Sequence, residues 1–433
     1  MNRDVSFDTH EVINQPPAFE DVNLFQSDLA LMAAVGAHGG GEAMNQLSAF
    51  GEKIGRAEVI DLGRQANAYL PVLKSFDRFG HRADQVEFRP AYHQLMALSV
   101  EQGIQGSPWD HLGNTGEAAP GRNVTRLAAL YMMVQVEAGH MCPITMTNAA
   151  VPALQFQPDL AATWGPRVAS RTYDPSFQPA HLKAGVTIGM GMTEKQGGTD
   201  VRANMSVAEP VGGGGAGGEY VITGHKWFFS APMCDAFLVL AQAPGGLSCF
   251  LMPRFLPDGT VNAIRIQRLK EKVGNKSNAS SEVEFQRAHA WLIGEEGRGV
   301  RNIIEMATYT RVDCAVSSSG LMRQALAQAL HHCSHRRVFQ KHLIDQPLMQ
   351  NVLADMALEV EGVTALSFRV ARAFDEADMS EAEAAYRRIM NPVAKYWACK
   401  RAPGFTYEAM ECLGGNGYVE EGIAGRLYRE APV

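Results

Sequence analysis

No two cysteines stand in a C-x-x-C arrangement, and the seven present (Cys142, Cys234, Cys249, Cys314, Cys333, Cys399, Cys412) are an odd number. A disulfide framework is therefore excluded, and the reading is reduced thiols in a cytoplasmic protein. No apolar run reaches the roughly eighteen residues of a membrane span, and the opening MNRDVSFDTHEVINQPP has no hydrophobic signal core. A membrane partner is not expected. Positive charge is also scarce, with 39 basic against 46 acidic residues and a net charge of −7. Nucleic acid is thus not the default partner. There is no G-x-S-x-G elbow, so His38-Gly39-Gly40-Gly41 reads as a surface turn rather than a lipase oxyanion loop.

What the chain does have is enough apolar material, 46% of 433 residues, for one to three packed domains. Its hydrophobic period changes twice. From Ser27 to about Trp164 apolar residues recur every three or four positions, and Leu127–Gln135 predicts a buried helix closed by Gly139 and a turn around Pro143. Prolines between 152 and 180 predict a linker or domain edge. Between Gly185 and Gly294 the period becomes two, in short segments rich in Val, Ile and Phe separated by turns such as Pro257-Asp258-Gly259. That spacing predicts an antiparallel barrel or sandwich, with no helices for a doubly wound sheet. Helical period returns after Gly299. The expected domains are 1–184 (helical), 185–293 (β) and 294–433 (a helical bundle).

Two signals are set aside. Gly212–Gly218, GGGGAGG, fits a dinucleotide fingerprint, but a strand follows it where that fingerprint needs a helix, so a flexible hairpin loop is expected. His331, His332 and His335 with Cys333 could suggest a metal, but two arginines follow at once, and a polar helix face is expected with no metal.

Three stretches could instead serve one flat, anionic, phosphate-bearing ligand. The first is Met190, Gly191, Met192, Thr193 and Glu194 running to Gly197, Gly198 and Thr199, where glycines admit close approach and threonines offer hydroxyls. A plain β-turn remains the alternative. The second is GHKWFFSAP, in which strand alternation would put Lys226, Phe228 and Ser230 on one face and His225, Trp227 and Phe229 on the other. An aromatic ring followed by a hydroxyl suits an isoalloxazine, while two core aromatics are the plainer reading. The third joins Arg336 and Phe339 to the Gly414-Gly415 turn, as a guanidinium and bare amides for phosphate. An ordinary helix stop is its alternative.

Together these residues resemble the acyl-CoA dehydrogenase superfamily over nearly the whole chain. NQPP…NLFQSD, VEAGHMCPITMT, MTEKQGGTD and GHKWFFS are most similar to its adaptive-response, AidB-type branch. The resemblance implies a helical–β–helical fold, FAD as cofactor, and a homo-oligomer, dimer or tetramer. It places Met190–Thr199 along the flavin, with Thr193 at the ring and Thr199 near both FAD and an acyl-CoA. Phe228, Phe229 and Ser230 fall on the family's W-I-T positions, so Thr193, Thr199 and Ser230 would also meet the substrate. Arg336, Phe339, Gly414 and Gly415 would reach the FAD of a neighbouring subunit. Gln340 stands where the family has glycine, and Glu411 where many members have glutamine.

The resemblance further implies dehydrogenation of short branched acyl-CoA, weakly and in a full-length form, and a role in the response to DNA alkylation. The family's catalytic glutamate has no counterpart. One location falls after Leu427–Val433, and the other matches Thr310-Arg311, with Glu305 and Asp313 out of register. No catalytic residue is assigned, and the C-terminal domain is expected to be incomplete through truncation. Binding to double-stranded DNA is implied by resemblance alone, since residues 294–433 hold 16 basic and 18 acidic side chains, a balance of −2. The competing readings are a DNA-associated stress protein whose flavin is structural or scavenges alkylating agents, and an oligomeric scaffold with a vestigial site.

Overall fold

The computed structural model describes residues 9–112 and 118–432. Met1–Asp8 of the opening segment and Val433 of the closing one lie outside the described residues. The helical N-terminal part comprises α1 (Leu29–Ala37), α2 (Met44–Ile54), α3 (Ala57–Ala68), α4 (Pro90–Glu101), α5 (Arg122–Val136), α6 (Met141–Leu154) and α7 (Pro158–Val168). α5 is the expected buried helix, with every residue from Leu127 to Val136 in the core. Its stop differs from the expectation. Pro143 lies in the first turn of α6, where a missing N–H costs nothing. Pro152 and Pro166 are also helical, so the linker begins only after Val168.

A hairpin, β1 (Val72–Phe76) and β2 (Arg82–Glu87), interrupts this part where only helices were expected. It covers the edge of the central sheet: the Arg82 guanidinium donates to the Ile266 carbonyl, and the Ile266 N–H donates to Asp84. Capping an edge in this way removes a template for unwanted strand pairing.

The middle part is a seven-stranded sheet of β3 (Ile188–Gly191), β4 (Val207–Pro210), β5 (Glu219–Ser230), β6 (Ala236–Ala243), β7 (Gly246–Pro253), β8 (Ile264–Leu269) and β9 (Ser280–Leu292). Its order is β3-β5-β4-β6-β7-β9-β8, and β5 also pairs with β9, which closes a barrel. Most pairs are antiparallel, but β3 runs parallel to β6 over Ile188–Gly191, a departure from the all-antiparallel expectation. The glycine run joins β4 to β5 as a hairpin loop, with Gly212, Gly214, Gly215 and Gly217 at positive φ.

The last part is α8 (Gly299–His335), a small hairpin of β10 (Arg337–Val338) and β11 (Lys341–His342), α9 (Pro347–Glu376), α10 (Glu381–Cys412) and α11 (Ala424–Glu430). α8 packs against α5, α6, α9 and α10, so it is the shared wall of the two helical parts. An ion pair crosses that wall. Arg126 of α5 donates to Asp313 of α8 at 2.7 Å and to the Ile104 carbonyl, and both side chains are fully buried. Removing one member of such a pair strands the other charge in a low-dielectric interior. Asp313→Ala is therefore expected to cost about 3–5 kcal/mol. An Arg126→Met/Asp313→Leu double variant should recover most of it in chemical denaturation.

Candidate functional site at the barrel and helix junction

The first two motif stretches lie side by side. Met190 of β3 pairs with Ser230 of β5, and three residues further along the same seam the Trp227 N–H donates to the Thr193 carbonyl. Thr193 and Ser230 thus edge one strip of surface, separated by roughly 10 Å of strand rise. Neither hydroxyl, nor that of Thr199, finds a nitrogen or oxygen partner among the described residues. Gly197 has nothing within 4 Å of where a Cβ would stand, so its backbone is open to a ligand. At Gly198 the missing Cβ makes room for the chain itself, since one would sit 2.6 Å from Thr193 Oγ1.

Strict alternation along β5 fails. The β5–β9 register shifts between Lys226 and Phe229, and the resulting bulge turns Trp227 and Phe228 outward together. Phe228 is 45% exposed, whereas Lys226 and Phe229 are both buried. Phe229 packs on Phe237 and Phe285 inside the barrel, so its side chain cannot face a ligand. The same correction applies to Glu194. Its carboxylate is buried and takes bonds from Lys226 Nζ (2.7 Å), Ser206 Oγ (2.7 Å), the Met205 N–H (2.7 Å) and Gln196 Nε2 (2.7 Å). Burial alone would raise its pKa, but the Lys226 ammonium and these donors hold it down at about 2.

Outside the bulge, Lys270 lies over Trp227 at 3.5 Å and Phe228 at 4.6 Å, with Glu282 as its counter-ion.

Sequence reasoning missed the neighbours of Ser230. Ser230 pairs with Ser280 of β9, and Lys272 Nζ donates to Ser280 Oγ (3.1 Å) and the Asn278 carbonyl (2.7 Å). The Cys142 thiol, in the first turn of α6, sits beside Ser230, Asn278 and Lys272, and burial pushes its pKa up. The stretch VEAGHMCPITMT carries Cys142, but in the sequence it marks kinship and nothing in it points to Ser230. Just behind Cys142, Glu137 accepts from His140 Nδ1 (2.8 Å), and His140 Nε2 meets Ser99 Oγ (2.9 Å). This has the order of a hydrolase triad, but all three side chains are sealed from solvent. A nucleophile without access does no chemistry, and the trio serves as a clamp. Glu137 also accepts from Asn67 Nδ2 (3.0 Å) and, across to the barrel loop, Ser277 Oγ (2.8 Å).

The third motif set stands apart, on the C-terminal helices. Arg336 donates to the Asn14 carbonyl (2.7 Å), and Asn416 beside the Gly414-Gly415 turn donates to Gln15 (3.1 Å). Phe339, at the tip of the β10–β11 hairpin, is 93% exposed. Gly414 and Gly415 have nothing within 4 Å of where a Cβ would be. His331 lies against the same N-terminal segment, bonded to the Pro17 carbonyl, and its ring contacts that of His335. No carboxylate occupies the Thr310 register. Thr310 bonds within its own helix to Ala307, and Asp313 is committed to Arg126.

A closed β barrel packed against helices of both helical parts, with hydroxyls and an open glycine backbone along the junction, is a three-part fold with a ligand-sized seam beside the barrel. Comparisons identify which. Residues 14–175 match the adaptive response protein AidB N-terminal domain, 189–288 the acyl-CoA dehydrogenase middle domain, and 297–433 the acyl-CoA dehydrogenase C-terminal domain. The chain is 49% identical over 427 residues to AidB of Escherichia coli (strain K12), covering 98% of this chain and 77% of that protein. It is 33% identical to acyl-CoA dehydrogenase family member 11 of Caenorhabditis elegans, covering 89% and 63%. The crystal structure of Caenorhabditis elegans ACDH-11 in complex with C11-CoA superposes with a TM-score of 0.89 at 30% identity, over 99% of this chain and 73% of that one. The chain belongs to the acyl-CoA dehydrogenase family, in its AidB-type branch, and the family is FAD-dependent. Among the described residues no helix is long and apolar enough to cross a membrane.

Two buried carboxylates give opposite pH signatures. Glu194, held low, stabilises the fold above the ordinary carboxylate pKa, and that contribution disappears as pH falls toward about 2. Glu430 is pushed up to about 7 by burial and by Glu137, against the pull of Arg426, the Asn275 N–H and Lys272. It stabilises at low pH, and the contribution is lost as pH rises through about 7. Glu194→Gln is expected to cost on the order of 3 kcal/mol at neutral pH, and less in acid. Glu430→Gln should gain up to about 3 kcal/mol over wild type between pH 5 and pH 8. Thermal melts of the Glu430 variant across that range, and of the Glu194 variant from neutral pH down through the carboxylate range toward about 2, read the two signs.

Proposed function

We propose that this chain is a cytoplasmic FAD-binding acyl-CoA dehydrogenase-like protein whose isoalloxazine lies along the Thr193–Ser230 seam. The observation that carries the reading is that, among the described residues, the Thr193 and Thr199 hydroxyls lack a nitrogen or oxygen partner and that of Ser230 meets only the Cys142 thiol, beside an open Gly197 backbone. This donor set fits a ring with polar edge atoms, and Met190, Gly191, Met192, Gly198 and Phe228 complete its surround. Bound FAD would supply the hydride acceptor for α,β-desaturation of an acyl thioester. Thr199 and Ser230 would orient that thioester, and the C11-CoA held by the nematode relative supports an acyl-CoA ligand.

Arg336, Phe339, Gly414 and Gly415 would serve the FAD of a second copy, as the family resemblance implies and as the bare Phe339 ring and the open Gly414-Gly415 backbone allow. The exposed Ile389, Val393 and Tyr396 on one side of α10 also favour a dimer or tetramer. Light scattering on the purified chain should give at least twice the 47.1 kDa of one copy. A role in the response to DNA alkylation rests on kinship with AidB, and the balance of 16 basic to 18 acidic residues over 294–433 gives DNA contact no electrostatic support. A mobility shift on duplex DNA that weakens steeply with salt would be needed to sustain it.

The test of the flavin reading is direct. Protein mixed with FAD and desalted should retain the yellow flavin absorbance. Each of Thr193→Val and Ser230→Ala should weaken FAD binding by several-fold, the effect of about 1 kcal/mol per hydrogen bond. Protein that stays colourless overturns the reading.

A further inference from the structure

Lys272 is a cation without a bonded counter-ion. Its Nζ reaches only neutral acceptors, the Asn278 carbonyl and Ser280 Oγ, and it makes no ion pair among the described residues. Burial lowers its pKa, so the ammonium is held in its charged form at a cost that a neighbouring anion would relieve. Three acidic groups surround it, and each is spent elsewhere. Cys142 is kept a neutral thiol by burial. Glu430 is close to half protonated near neutral pH. Glu137 is saturated by His140, Asn67, Ser277 and the Gly139 N–H. Meanwhile Ser280, whose Oγ accepts a hydrogen bond from Lys272, is the strand partner of Ser230. The free charge therefore stands one residue across from the hydroxyl assigned to the ring.

We propose that Lys272 is a charge-tuning residue for the flavin, favouring the reduced ring over the oxidised one through the Ser280–Ser230 row. This rests on the flavoprotein reading above. Two-electron reduction with uptake of one proton leaves one additional negative charge on the ring system, and a nearby fixed cation stabilises that charge selectively. Lys272 acts on the equilibrium and takes part in no bond-making step. Asn278 is its support. The Asn278 carbonyl anchors the ammonium, and its buried side-chain amide lies against the Cys142 thiol.

The experiment is dye-equilibrated dithionite reduction of the FAD-loaded chain, comparing wild type with Lys272→Met, Lys272→Arg and Ser280→Ala. Lys272→Met should lower the reduction potential by about 30 mV, a tenfold loss in the reduced-to-oxidised ratio for a two-electron couple. Lys272→Arg should keep most of the wild-type potential, because the charge remains. Ser280→Ala should move it less than Lys272→Met does. A Lys272→Met protein that binds FAD at the wild-type potential overturns the proposal and leaves the flavin reading intact. Failure of the wild type to bind FAD overturns both. Should Lys272→Met lose FAD altogether, the Lys272→Arg potential decides: a large drop despite the retained charge refutes tuning by charge.

Discussion

The ion pair between Lys226 and Glu194 is the constraint on which the candidate site depends. Both side chains are fully buried, and Lys226 also donates to the Leu240 carbonyl of β6. Glu194 in turn holds Met205 and Ser206, so one carboxylate ties the turn after β3 to β5 and to the start of β4. Breaking it would leave a charge stranded in the barrel. Because Glu194 points inward, its neighbour Thr193 is left at the surface of the seam. The same inward turn of Lys226 forces the β5 bulge that presents Trp227 and Phe228 to the outside. A polar cluster inside the barrel therefore sets the chemistry available on its rim.

A second clamp fixes the rim against the helices. Glu137, His140 and Ser99 lock the turn between α5 and α6, and Ser277 reaches into that cluster from the β8–β9 loop. A Cβ on Gly139 would collide with Ser277 Oγ, which explains glycine at that turn. Cys142 and Lys272 arrive beside Ser230 because their backbones are fixed on either side of this contact. Preorganisation of this kind lets a site select a charge state without moving.

The fold was largely legible because period is a physical consequence of burial. The helical stretches, the barrel strands and the glycine hairpin all follow from which side chains must leave water. What escaped was local or long-range. The β1–β2 hairpin is short and half-exposed, so its alternation of apolar and polar residues was weak; its role appears only when Asp84 meets Ile266, far along the chain. Phe229 and Glu194 come to the ligand only through the resemblance, which carries over motif positions and does not say which side chains the fold turns inward. Lys272 and Cys142 were invisible as partners because 130 residues separate them in sequence while the fold brings them together at Ser230. Asp313 could be read as a carboxylate from its letter, but its commitment to Arg126 depends on tertiary packing.

The β10–β11 hairpin concentrates backbone strain and apolar exposure at one tip. Its two turn residues, Phe339 and Gln340, have φ of +49° and +68°, the type I′ conformation that glycine or asparagine adopts with ease. Gln340 stands at the second of these positions, which glycine would occupy without strain, so the turn is kept at a cost of about 1 kcal/mol. A bare apolar ring at the tip adds a hydration penalty in the isolated chain. Both penalties fall at one point, and both are met if another copy buries the ring. The tip is reinforced from behind rather than in front: Asn14 bonds the Arg337 backbone on both sides, and Arg336 holds the Asn14 carbonyl. An exposed tip with a strained turn and a braced base is the geometry that the proposed second-copy contact requires. The third motif set could therefore be read in the sequence and yet not be assembled within one copy.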